Sequence, residues 1–124
     1  PGAVIITYGE MAEAAMKAAK ELLLEEEIVV DIVVLTMISP VDYNQLMRYV
    51  GESKYVFTLE EGTRRACWGA EIVSGLCEMN SNCKYFRIAA EDCVISCNKL
   101  EEKFILPDAE RVIKIIKGVI YGTY

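Results

Sequence analysis

Histidine is absent from all 124 residues, and with it goes the commonest general base near neutral pH. Catalysis carried by this chain alone is therefore not expected. The five cysteines, Cys67, Cys77, Cys83, Cys93 and Cys97, include no C-x-x-C pair. Their spacings match no zinc site and no histidine is present to complete one, so no metal site is expected. An odd number of thiols with no pairing pattern predicts reduced side chains in a cytoplasmic protein. No apolar run approaches the roughly 18 residues a membrane span needs, and neither G-x-G-x-x-G nor a P-loop occurs. Thirteen basic against nineteen acidic residues leave a net charge of −6. Such a surface repels a phosphate backbone, so neither nucleic acid nor a membrane is an expected partner.

What is present is the composition of an ordinary folded domain: 53% hydrophobic and 26% charged. A chain of this length makes one domain, residues 1–124, and can bury roughly two-thirds of its unfolded surface without a disulfide or metal. It begins Pro1-Gly2 and enters an apolar run at once, which predicts a piece of a longer polypeptide.

The densest group of special residues lies between Tyr55 and Gly75. A β-branched and aromatic run, Tyr55–Leu59, is expected to stop at Glu60-Glu61-Gly62. A polar turn with Arg64 and Arg65 follows, and a helical period restarts at Gly69-Ala70-Glu71. The turn then falls at the carboxyl end of a strand, where open α/β sheets place ligands or partners. Gly69 would let the helix start lie close to the sheet.

The remaining chain supplies the same units. Ala3–Tyr8 is a continuous apolar run, expected to be a strand buried on both faces, and Gly9 turns it into a helix over Glu10–Glu26. Met11, Ala14, Ala15, Ala18, Leu22 and Leu23 form that helix's apolar stripe. Glu25-Glu26-Glu27 is expected to be a solvated helix end. A second buried strand is predicted over Val29–Leu35. Ser39-Pro40-Val41-Asp42 makes a stiff corner, and Asp42 with Gln45 forms a capping box that opens a short helix ending at Gly51. Asn80-Ser81-Asn82 is turn chemistry, Lys84–Ala89 a fourth strand, and Glu91–Leu106 an irregular contact segment. Asp108 opens a last helix whose apolar positions, from Val112 to Ile120, cover more than one stripe. Burial on two sides is expected there, with a partner on the second side through Ile116 and Ile120. The order β-α-β-α-β-α-β-loop-α implies a mainly parallel sheet with helices on both faces.

Four stretches in this order resemble the carboxyl-terminal domain of the transketolase family. They are Thr7-Tyr8-Gly9 before an alanine-rich helix, Ser39-Pro40-Val41-Asp42, Leu59-Glu60-Glu61-Gly62 leading to Gly69-Ala70-Glu71-Ile72, and Leu100-Glu101 with Phe104 and Leu106-Pro107-Asp108. The nearest likeness is to the β subunits of thiamine diphosphate-dependent 2-oxo acid dehydrogenases of the pyruvate and branched-chain types. The resemblance implies a three-layer α/β/α fold with a mostly parallel, five-stranded mixed sheet. It places thiamine diphosphate and Mg2+ in the parent enzyme and none in this stretch. It also implies partners: an upstream thiamine-binding domain, an α subunit, a second copy, and the acyltransferase core. The sequence departs from the family where a glycine-rich turn is usual, here Ala66-Cys67-Trp68-Gly69, and where Asp-Leu-Arg is usual, here Val34-Leu35-Thr36.

No catalytic residue is expected. Glu60 and Glu61 are adjacent, so strand alternation points them to opposite sides and they are not an acid–base couple; one of them is positioned to accept from backbone amides. Arg64 and Arg65 precede a helix start, where they could hold an anion, or form a solvated turn or ion pairs to a neighbouring subunit. Trp68 is a core residue or an interface anchor. Ligand or partner contact is thus expected at Glu61, Gly62, Arg64, Arg65 and Trp68. Three functions stay open: the assembly domain of a thiamine enzyme (2-oxo acid dehydrogenase, transketolase or deoxyxylulose-phosphate synthase), an anion- or nucleotide-binding module, and a regulatory module.

Overall fold

The computed structural model describes residues 2–79, 82–90 and 107–123. Four parallel strands, β1 (Ala3–Thr7), β2 (Val30–Val34), β3 (Tyr55–Thr63) and β4 (Lys84–Ala90), lie in the order β2-β1-β3-β4. The helices are α1 (Met11–Glu26), α2 (Tyr43–Val50), α3 (Trp68–Glu78) and α4 (Ala109–Ile120). The fold is the expected three-layer α/β/α arrangement, with four strands among the described residues rather than the five of the resemblance. The expectations for Asn80, Ser81, Cys93, Cys97 and the 91–106 segment, including Leu100, Glu101, Phe104 and Leu106, lie outside the described residues.

Side-chain alternation along the two central strands divides the core in two. Ala3, Ile5, Phe57 and Leu59 face α1 and α4, packing with Ala15, Ala18, Leu22, Val112 and Ile116. Val4, Ile6 and Val56 face the other way, onto Leu46 and Val50 of α2 and Ile72 and Leu76 of α3. Every residue of β1 is buried, as expected for a strand covered on both faces.

Four local expectations are corrected. β2 is not doubly buried. It pairs only with β1 among the described residues, and its side chains are half-buried or exposed. β3 does not stop at Glu60 but runs to Thr63, where it pairs with Ala90 past an irregularity after Leu59. Leu23 is 51% exposed and so lies off the α1 core stripe. Glu26 is not merely solvated: its carboxylate meets Lys117 Nζ at 2.7 Å and accepts from the Tyr121 hydroxyl at 2.7 Å, clamping the end of α1 to α4.

Helix boundaries follow capping chemistry. Asp42 Oδ1 accepts from the Gln45 N–H at 3.1 Å and Asp108 Oδ1 from the Arg111 N–H at 2.8 Å, each starting a helix as the sequence predicts. The Ser39–Pro40 bond at the corner before α2 is cis. Glu27, which closes α1, has φ 55°, and its N–H donates to the Leu22 carbonyl.

Candidate functional site at the strand ends

Because all four strands are parallel, their carboxyl ends share one edge of the sheet. β1 connects through α1 to β2 on one side while β3 lies on the other. The crevice at that switch point is where this class of sheet binds ligands. The turn after β1 (Tyr8, Gly9) and the segment from Glu60 to Gly69 meet there. Gly9 has φ +64°, in the left-handed region that glycine adopts without strain. The Thr7 hydroxyl donates to the Leu59 carbonyl at 2.8 Å, a buried cross-tie between β1 and β3.

Glu60 organises the site. Alternation along β3 turns it inward, 2% exposed, while Glu61 is exposed. The Glu60 carboxylate accepts a hydrogen bond from the backbone N–H of Gly69. Cys67 is the N-cap of α3 and makes no side-chain cap bond, so Gly69 is the second helical residue and its N–H has no partner within the helix. Glu60 supplies the missing acceptor from the strand, and its charge is in the favourable place against the positive end of the helix dipole.

Two glycines make room for this carboxylate. A Cβ on Gly69 would lie 2.8 Å from Glu60 Oε2 and 2.5 Å from Thr58 Oγ1, and a Cβ on Gly62 would lie 2.6 Å from Glu60 Oε1. Each glycine thus closes over one carboxylate oxygen. The close approach expected of Gly69 is real, and its reason is the buried acid beneath it.

Around this centre the crevice is closed by the chain's own groups. Trp68 packs edge-on against Tyr8, with ring centroids 4.6 Å apart and planes at 72°. Burial, then the nearby carboxylates of Glu60 and Glu61, pushes the Tyr8 phenol above its ordinary pKa, so it stays neutral. From β4, Arg87 Nη1 donates to the Arg64 carbonyl at 2.6 Å and lies 3.8 Å from Cys67 Sγ, tying the turn down. The hydroxyl of buried Thr58 and Nε1 of Trp68 have no hydrogen-bond partner among the described residues.

Of the expected site residues, the structure brings Gly62 and Trp68 to Glu60, and leaves Glu61, Arg64 and Arg65 on an exposed rim. It does not bring Ile116 or Ile120 to any surface contact near them. Ile116 is fully buried in this chain's own core and Ile120 is half-buried against the same cluster. The expected partner surface on α4 is therefore corrected at Ile116. Val112, Ile116 and Val119 join the cluster formed by α1 and the sheet, and Ile113, Ile115 and Ile120 are partly buried against it, which accounts for the wide apolar arc. Sequence reasoning missed Arg87, which comes from a strand 20 residues on and carries no motif, and Tyr8, which only the fold brings against Trp68.

Chemically, the buried acid of the cluster, Glu60, is engaged with the helix end. The amino end of α3 is occupied by a buried carboxylate, which disfavours an anion at that point. Among the described residues no group of three His, Cys, Asp or Glu side chains is placed to hold a metal ion, and no helix is long and apolar enough to cross a membrane.

A different surface opens beside β2. A cleft of about 520 Å³ runs between residues 32–37 and the start of α2 and is lined by Pro40, Val41, Leu46 and Tyr49. Around it Val34, Met37, Ile38 and Tyr49 are 45–61% exposed, a group of large apolar side chains in water.

The family model for "Transketolase, C-terminal domain" matches residues 1–112. The chain is 29% identical over 112 residues to a 1-deoxy-D-xylulose-5-phosphate synthase of Clostridium tetani, covering 89% of this chain and 18% of that protein. It is 29% identical over 119 residues to the pyruvate dehydrogenase E1 component subunit beta of Staphylococcus aureus, covering 94% of this chain and 36% of that one. Among solved structures, "Split gene transketolase, inactive beta4 tetramer" matches with a TM-score of 0.79 at 21% identity, over 93% of this chain and 38% of that one. The chain thus spans little more than a third of the length of these relatives, or less.

Proposed function

From the premise that the chain belongs to the family of transketolase carboxyl-terminal domains, we propose that it is the assembly domain of a thiamine diphosphate-dependent 2-oxo acid dehydrogenase β subunit. The parent enzyme decarboxylates a 2-oxo acid and passes the acyl group to a lipoyl arm. Thiamine diphosphate with Mg2+, held outside this domain, supplies the electron sink for that decarboxylation. The residues described here position neighbouring domains and carry no chemical step. The partners are the thiamine-binding domain upstream, an α subunit, a second copy and the acyltransferase core, in the cytoplasm.

One observation carries the choice of an assembly role over ligand binding: the Glu60 carboxylate already fills the helix end at the switch point. A free-standing anion- or nucleotide-binding module would keep that end open. The 94% coverage by the pyruvate dehydrogenase subunit supports the 2-oxo acid reading. A second reading, a 1-deoxy-D-xylulose-5-phosphate synthase, is supported by equal identity over a slightly shorter match.

The test is capture of the native polypeptide from its source cells with an antibody to this domain, followed by assay of the captured material. Pyruvate- or branched 2-oxo acid-dependent reduction of ferricyanide is expected. Synthesis of 1-deoxy-D-xylulose 5-phosphate in its place would move the assignment to the second reading. A captured monomer with saturable nucleotide binding and neither activity would overturn the assembly role.

A further inference from the structure

We draw no further inference here: the strongest candidate, the apolar cleft between the end of β2 and the start of α2 lined by Val34, Met37, Pro40 and Tyr49, is an unpartnered face, and nothing in the structure shows what covers it.

Discussion

The junctions β3–α3 and β2–α2 are the same device, a parallel strand running into a helix, and they end in opposite states. At β3–α3 the helix start is capped from beneath by a buried carboxylate, two glycines close over it, and Trp68 covers the crevice. At β2–α2 the cap is the exposed Asp42 of the turn itself, and apolar side chains stand in solvent around a cleft. The first junction gathers acids, arginines and the tryptophan, yet the chain uses Glu60 and Trp68 on itself and leaves Glu61, Arg64 and Arg65 on an exposed rim. The second has few of them and keeps an open surface. The difference follows from strand position: β3 is central, so its end is roofed by neighbours on both sides, whereas β2 pairs on one side only among the described residues.

The largest expected effect comes from emptying the sealed junction. Glu60→Ala removes the acceptor of the buried Gly69 N–H and the charge opposite the α3 dipole. It should cost about 3 kcal/mol in chemical denaturation, and Glu60→Gln, which keeps an acceptor, about 1 kcal/mol. Added sulfate should recover part of the Glu60→Ala loss, because the vacated helix end can then take an anion from solution. Equal stability of the alanine variant and the parent would mean that the junction is not sealed by this bond.

Gly69→Ala tests the same junction from above. Alanine ordinarily gains about 1 kcal/mol within a helix, but its Cβ would meet Thr58 Oγ1 at 2.5 Å and Glu60 Oε2 at 2.8 Å. Overpacking of that kind costs about 1–3 kcal/mol, so the net loss should be about 2 kcal/mol or less. A net gain in thermal midpoint would show that the helix lifts off freely, and the contrast between the junctions would collapse.

How much of this was legible in the sequence depends on whether the deciding contact is local. The apolar runs and the helical stripe gave four strands and four helices in the right order. Asp42 and Asp108 gave two helix starts, since a capping bond spans only three residues. The extension of β3 to Thr63 was hidden because Glu-Glu-Gly has turn chemistry locally, while the pairing with Ala90 is made 27 residues away. Val29–Leu35 reads as a doubly buried strand until the strand order puts it at an edge among the described residues. Ile116 looked like a partner contact because its covering helix, α1, is distant in sequence. At the site, alternation correctly separated Glu60 from Glu61 and pointed one of them at backbone amides. The roles of Arg87 and Tyr8 needed the tertiary contacts.

Two smaller effects belong to the open junction. Asp42→Ala removes an exposed cap and should cost about 1 kcal/mol, well below the Glu60→Ala loss; a cost as large would erase the distinction between buried and exposed caps. The double variant Met37→Ser, Tyr49→Ser should leave the domain's stability within about 0.5 kcal/mol, since both side chains are largely in water. If this surface serves the proposed assembly, the same variant should weaken co-capture of the larger complex. Unchanged co-capture would place the assembly contacts elsewhere on the domain.

The smallest expected effect contrasts the buried carboxylate of Glu60 with the exposed clamp of Glu26, Lys117 and Tyr121 on the opposite face. Hydrogen bonds from Lys117 and Tyr121 hold the Glu26 carboxyl below its ordinary pKa. A lowered carboxyl contributes stability that is present above its unfolded pKa and lost as pH falls through the folded one. Lys117, raised by its bond to Glu26, works in the other direction. Its contribution is complete below the unfolded lysine value and disappears as pH rises through the raised one. Tyr121, raised by the same partner, behaves as Lys117 does. The clamp should therefore act across neutral pH and fail at both extremes. Lys117→Met should flatten the acid limb, so that thermal midpoints of variant and parent converge as pH falls from about 5 to about 3. High salt should shrink the difference at neutral pH, as it does for solvent-exposed pairs. A difference that persists unchanged at low pH would show that Lys117 stabilises α4 through its apolar stem on α1. The ion pair would then be incidental to how that face is held together.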